Sequence, residues 1–331
     1  MGKLGLGLAM GIQVIAYPAL SRAGLGNLLL PWARAEVFRH HHGLEMLAPQ
    51  WTQPKIGPLL RRERDLRYYW RVFSNAGYIT GLRRSWLLQS ATQLDEDSGE
   101  EFMRSSFVAR GRGSILVTFE GHSEEEWFDR LLGGRDFLRR RLFEMLSPPI
   151  RAMLHGRDEH PTIAVHVRRG DKVTVELGGS CAISNRTPSD EWFRRVIQSL
   201  RNVAGAEAPV TIFSDGKPGQ LDALLALPNV SLAPPAPAIV DMLRMARARV
   251  VVTSGISTFS MWPAFLAQIP AINYPGTMAR LNPDRPGWDI EATLGGELPA
   301  TSQRILAAAL SEPRVDVPWA DWASRAQGSS I

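Results

Sequence analysis

The chain has 331 residues, 44% hydrophobic and 21% charged, the composition of an ordinary soluble globular protein long enough to suggest two domains. Its single cysteine, Cys181, excludes an internal disulfide and fits a reducing cytoplasm. The net charge of +5 lies wholly in the first half: residues 1–155 hold 21 Lys+Arg against 16 Asp+Glu, and residues 156–331 hold 17 of each. With no recognised nucleic-acid motif in that half, the surplus does not point to a nucleic-acid partner.

At the N-terminus, Leu4 to Leu20 carries no charge and follows Lys3, superficially like a signal peptide or anchor. Its glycines, Gln13 and Pro18, and its 17 residues, fall short of a comfortable membrane helix, so the segment is expected to be cytosolic. Gly5-Leu6-Gly7 has no strand before it and is a poor dinucleotide signal. Residues 12–17 read as a first buried strand. Gly24-Leu25-Gly26-Asn27 follows, then an apolar-periodic helix from about Leu28 to Arg39. A glycine-rich turn opening a helix lets backbone N–H groups approach an anion or sugar, and equally serves as a tight strand-to-helix turn.

From there to about residue 155 the pattern is irregular and rich in Trp, Arg and Pro. Arg61-Arg62-Glu63-Arg64, Arg83-Arg84 and Arg139-Arg140-Arg141 read as solvated helix faces. Successive side chains of His40-His41-His42 point apart on a helix, poor geometry for one metal site. Asp95-Glu96-Asp97 reads as solvated loop surface.

The second half alternates. Strand-like runs at 162–167, 209–213, 229–232, 249–253 and 271–274 are separated by helical runs near 188–200, 220–227, 238–248 and 258–267. Thr187 is the expected cap of the first of these helices, with Pro188 at its first position. Such alternation implies a parallel, doubly wound sheet. The first of these strands runs into His166-Val167-Arg168-Arg169-Gly170-Asp171-Lys172-Val173. Two guanidiniums and an ammonium at a strand's carboxyl end suit a pyrophosphate, because Arg offers a planar fork and Lys a point charge. A solvated charged loop is the ordinary alternative. Two more strands end in polar signatures, Ser214-Asp215-Gly216 and Ser254-Gly255-Ile256-Ser257-Thr258, and one crevice would gather all three.

These residues carry a resemblance. The His166–Val173 run, the upstream Gly24–Asn27, the Phe213-Ser214-Asp215 strand end, and residues 241–246 leading to Ser257-Thr258-Phe259-Ser260 resemble, in that order, the fucosyltransferase superfamily. That superfamily includes the α1,2- and α1,6-fucosyltransferases and the protein O-fucosyltransferases. Lys172 is more like the α1,6 enzymes, since the α1,2 enzymes usually have Tyr after the Asp. The resemblance implies a GT-B-like α/β fold, two Rossmann-like domains facing a cleft. It places an acceptor-side domain over 1–155, a GDP-sugar-binding domain over 156–285, and a segment over 286–331 packing back on the first domain. It further implies GDP-fucose as donor, inversion at the anomeric carbon, and no metal or other cofactor.

Roles follow on the same terms. The resemblance sets Arg168 against the β-phosphate, where a positioned donor is worth about 10²–10³ in rate. Arg169 would hold the loop or meet the acceptor, and His166, sharing a face with Arg168, would contact the nucleotide or be a buried, hydrogen-bonded imidazole. Glu176 is the expected base, Asp171 the runner-up, and Asn27 a residue that positions the reactants. Gly24, Gly26 and Lys172 would line the donor site. Ser257, Thr258 and Phe259 sit where a helix begins, so Ser257 and Thr258 would hold a phosphate or simply cap the helix. Asp241 would accept from guanine, and Asp215 would serve ribose or base. The Arg- and Trp-rich first half suggests a glycan acceptor on a lipid carrier, with peripheral membrane contact. Otherwise Trp32, Trp51, Trp70 and Trp86 are core and the arginines solubilise.

Overall fold

The computed structural model describes residues 11–52, 69, 71–105, 113–121, 128–154, 161–170, 173–174, 186–217, 219–311 and 318–324. Two fully parallel sheets carry it. In the first, β1 (Gln13–Ala19) lies between β2 (Glu45–Met46) and β4 (Ser114–Glu120), with β3 (Thr92–Asp95) beyond β4. Val14, Ile15 and Ala16 are consecutive and buried, as parallel strands covered on both faces require. In the second, the order is β12 (Asp289–Glu291), β11 (Ala271–Asn273), β10 (Val250–Val252), β5 (Ile163–Val167), β8 (Val210–Ser214), β9 (Val230–Leu232). All five residues of β5 are buried. A separate parallel pair joins β6 (Val173–Thr174) to β7 (Arg186–Thr187).

After β1 the chain turns at Gly24 into α1 (Leu25–His42), which ends on Gly43 at φ 66°, its N–H bonded to the Arg39 carbonyl. This helix begins three residues earlier than its periodicity suggested. Gly26 and Asn27 are therefore in its first turn, not in a loop before it. The stretch that reads as irregular contains α2 (Gly81–Ser90), α3 (Glu96–Arg104), α4 (Arg135–Glu144) and α5 (Pro148–Leu154) besides β3 and β4. Asp95 caps α3 by accepting from the Ser98 N–H at 2.8 Å, and Glu96 pairs with Arg34 at 2.9 Å. The acidic triplet is a helix start whose third member, Asp97, pairs with Arg130 at 2.8 Å, not a solvated loop.

In the second half, α6 (Asp190–Ala204) is capped by Ser189, whose hydroxyl accepts from the Trp192 N–H, and not by Thr187. Then follow α7 (Asp222–Leu225), α8 (Ala238–Ala246) and α9 (Thr258–Ala267). Helices α1, α8 and α9 lie between the two sheets and bury one continuous apolar cluster running from Leu28 and Trp32 to Met242 and Trp262. The two halves thus share a core. The outer faces have smaller cores of their own, Ile15, Leu87 and Leu116 under α2, and Val165, Trp192 and Leu306 under α6.

One further expectation needs correction. The arginines of α4 do not form one solvated face: Arg140 is exposed, but Arg139 is 1% exposed and donates to the Leu266 carbonyl at 3.2 Å, and Arg135 reaches the Leu281 carbonyl at 2.6 Å. Arg141 joins Glu36 at 3.0 Å. Helix α4 lies where the halves meet, so Arg139 and Arg135 satisfy carbonyls of the other half, one in the last turn of α9 and one in a loop. The segment from 286 contributes to both halves. β12 extends the second sheet, α10 (Gln303–Ser311) packs on α6, and α11 (Trp319–Ser324) reaches α4. Asp289 fixes the entry to β12 by accepting from the N–H groups of Leu281 and Asn282, each at 2.9 Å.

Candidate functional site

Parallel strands deliver their carboxyl ends to one side, and here β1, β5, β8 and β10 deliver theirs to one cavity of about 710 Å³ between the sheets. Its walls bring together Gly24, Gly26 and Asn27 after β1, His166 and Arg168 from β5, Asp215 from β8, and Ser257 to Phe259 after β10. Asp241 of α8 lines it as well, behind the apolar run Pro235 to Ala238. Glu176, Asp171 and Lys172 lie outside the described residues, as does Trp70.

Two helix N-termini meet at this cavity. Neither α1 nor α9 has an acidic residue in its first turn, so both positive dipole ends stand unneutralised. Their approach explains Gly26. A Cβ there would fall 2.5 Å from the Phe259 nitrogen and 2.6 Å from the Thr258 hydroxyl. Gly26 serves close helix–helix packing across the cleft, while a Cβ on Gly24 would meet nothing within 4 Å. The Trp262 indole N–H donates to the Gly26 carbonyl at 2.8 Å and fixes the crossing.

The two hydroxyls at the start of α9 do different things. Thr258 donates to the Asn27 side-chain oxygen across the cleft, which orients that amide. Ser257 sits at the capping position without making the capping bond, and its buried Oγ has no hydrogen-bond partner. A buried unsatisfied hydroxyl is costly, and a cavity-facing one is where a ligand atom would satisfy it.

The adjacent arginines also diverge. Arg168 lines the cavity. Arg169 turns away, 7% exposed, and its guanidinium is taken up by Asp190, Thr187 and the Pro188 carbonyl. It holds the loop. Asp215 is partly committed as well, one oxygen accepting the Arg169 N–H at 2.6 Å. His166 is 5% exposed with its ring 5.1 Å from that of Phe259, and its Nδ1 has no partner. Burial, aided by the Arg168 charge and opposed by Asp215, lowers its pKa to about 4, so the imidazole is neutral near pH 7.

Sequence reasoning missed Arg22 and Tyr69, which line the cavity. Arg22 stands two residues before the glycine turn, and that position was the available signal. Tyr69 is brought in from a remote segment by tertiary contacts alone. His40 stacks on Phe137, and among the described residues no group of three His, Cys, Asp or Glu could hold a metal ion.

No protein-family model matches this chain, and no curated protein matches it. Solved structures do. A mutant of Arabidopsis thaliana FUT1 in complex with GDP is similar at 11% identity and TM-score 0.46, over 80% of this chain and 71% of that one. The fucosyltransferase NodZ from Bradyrhizobium is similar at 17% identity and TM-score 0.44, over 80% and 96% of the two chains. POFUT1 in complex with GDP is similar at 13% identity and TM-score 0.46, over 81% and 99%.

Proposed function

We propose that this protein is an inverting glycosyltransferase that moves L-fucose from GDP-fucose to a glycan hydroxyl. The observation that carries the reading is the convergence of Arg168, two helix N-termini and the unpartnered Ser257 hydroxyl on one cavity between the sheets. Those are the groups a pyrophosphate needs. The likeness of His166–Val173 and its companion motifs to the fucosyltransferase superfamily supports the same assignment.

In the proposed reaction the acceptor oxygen bonds to the anomeric carbon. The bond from that carbon to the β-phosphate oxygen breaks, its electron pair leaves on GDP, and the acceptor proton passes to a base. Arg168 and the α9 N-terminus neutralise the charge that grows on the β-phosphate, so no divalent cation is required. Neutral His166 can donate one hydrogen bond to the nucleotide without adding charge. Asp241 and the run 235–238 form the wall assigned to the guanine. Asn27, oriented by Thr258, positions the reactants, and Glu176, or Asp171, takes the proton. The acceptor is a surface polysaccharide, lipopolysaccharide or oligosaccharide, approached from the first half. That half turns Leu82 (90% exposed) and Trp86 (61% exposed) outward on α2, which contains Arg83 and Arg84 and no acidic residue. Such a face supports peripheral contact with a membrane that presents a lipid-linked acceptor.

A thermal-shift panel of GDP, UDP, dTDP and GDP-fucose in EDTA tests the donor. Stabilisation follows RT ln(1+[L]/Kd), and a shift with GDP and GDP-fucose alone is expected. A shift that requires Mn²⁺ or Mg²⁺ would count against the charge assignment. Turnover then separates the enzyme from a non-catalytic GDP-sugar-binding protein on the same fold, and GDP-fucose from other GDP-deoxyhexoses. Binding to anionic vesicles, lost in Trp86→Ser, tests the membrane contact.

A further inference from the structure

Resting on that reading of Arg168, we infer that Ser254 and Thr187 are positioning residues for it, acting through its main chain. The Arg168 N–H donates to the Ser254 hydroxyl at 3.0 Å, and the Arg168 carbonyl accepts from the Thr187 hydroxyl at 2.9 Å. The two hydroxyls lie 3.1 Å apart. Each hydroxyl carries one proton. Thr187 gives its proton to the Arg168 carbonyl, so Ser254 must donate to Thr187. The result is a closed ring: Arg168 N–H to Ser254, Ser254 to Thr187, Thr187 back to the Arg168 carbonyl. It is dry, with Ser254 at 2% and Thr187 at 1% exposure, and hydrogen bonds made in such surroundings are costly to lose.

The flanking residues are fastened too. The Val167 carbonyl accepts from Ser214 at 2.5 Å, and the Arg169 N–H donates to Asp215 at 2.6 Å. Side chains from β7, β8 and the end of β10 thus take over where the β5 ladder stops. Ser254 does one thing more. Its own N–H donates to the Ser260 hydroxyl in the first turn of α9, at 3.3 Å, and Ser260 in turn donates to the Ser257 carbonyl. The two sources of positive potential, Arg168 and the start of α9, are set relative to each other through this one serine. Without it Arg168 keeps its charge but loses its fixed distance from the helix, and fixed geometry is what a charged donor needs.

Two measurements test the ring. The first is amide exchange at Arg168, read against the amides in the middle of β5. We expect protection in the wild type and its selective loss in Ser254→Ala; an amide equally protected in both overturns the ring. The second is the affinity for GDP and for inorganic pyrophosphate in Ser254→Ala, Arg168→Ala and the double variant. Ser254→Ala should weaken binding about tenfold alone and less than about twofold in the Arg168→Ala background, because coupled residues are not additive. Additive losses mean that Ser254 does not act through Arg168. Thr187→Val should repeat the defect and Thr187→Ser restore affinity, which keeps the test decisive if Ser254→Ala folds poorly. A wild-type protein that binds pyrophosphate but not GDP overturns the donor reading and leaves the ring standing. One that binds neither overturns both.

Discussion

Arginines in two places in this protein serve different ends. On α4, Arg135 and Arg139 direct their guanidiniums at carbonyls across the interface between the halves, and Arg141 directs its own at Glu36 within the first half. At the end of β5, Arg168 has its main chain fixed by two hydroxyls while its side chain lines the cavity. The guanidiniums of the first set make their bonds to protein groups, and two of them bridge the halves. At the second, two hydroxyls satisfy the backbone, and the side chain stands in the wall of the cavity. What separates the two is whether the side chain is directed at other parts of the protein or stands in the cavity wall. Arg169, one residue on, belongs with the first kind.

The largest expected effect lies with the structural arginines, at the carboxylate that holds Arg141. Glu36 is 0% exposed and accepts from Arg39, Tyr78 and Arg141, and Tyr78 also receives the Trp32 indole N–H. Burial, with the Glu36 charge beside it, raises the Tyr78 pKa well above the ordinary phenol value, so the hydroxyl stays a donor. Glu36→Ala leaves a buried guanidinium uncompensated and should cost about 3–5 kcal/mol in chemical denaturation. GDP affinity per folded molecule should be untouched. A loss of affinity without a loss of stability would erase the distinction between the sets.

Arg168→Ala should do the reverse. Transfer is expected to fall about 10²–10³-fold or more with Tm nearly unchanged, and Arg168→Lys should also fail because the fork is gone. Near-normal kcat/KM in the Ala variant would remove Arg168 from the donor site.

His166 sharpens the contrast through pH. The unfolded chain takes up its proton near 6.5 and the folded one only near 4. The stability this neutral imidazole contributes is full above pH 6.5 and is lost as pH falls toward 4. By pH 4 the loss approaches about 3 kcal/mol. Denaturation midpoints from pH 7 to 4 should fall more steeply in the wild type than in His166→Gln. Parallel curves would mean that the folded chain protonates this histidine as readily as the unfolded one.

The smallest effect concerns the helix crossing. Gly26→Ala pushes a methyl into the start of α9, and overpacking of this kind costs about 1–3 kcal/mol. Because the strain separates the two helix starts, pyrophosphate affinity should drop along with Tm. An unchanged affinity would show that the α1 terminus takes no part in anion binding.

Sequence reading succeeded where the signal was local. The βα alternation after residue 160 and the charged run ending β5 were legible because a buried parallel strand is a continuous apolar run and its polar end follows at once. Helix α9 matched the expected 258–267. The first half was harder. β4 (Ser114–Glu120) buries five residues in a row as β5 does, but its run is interrupted by Thr118 and bounded by Ser114 and Glu120, so it reads less plainly as a strand. The short edge strand β12 has one buried residue in three and gave no pattern to read.

What the sequence determined by itself, then, was that strand ends would deliver Arg168, Asp215 and Ser257 to one side of a parallel sheet. That follows from chain direction and period alone. The tertiary structure decided which of these groups remain available. Thr187 closes a ring with Ser254, 67 residues away, Thr258 is committed to Asn27 across 231 residues, and Arg139 to a carbonyl across 127. Such hydrogen bonds are set by distance in space, and spacing along the chain carries no record of them.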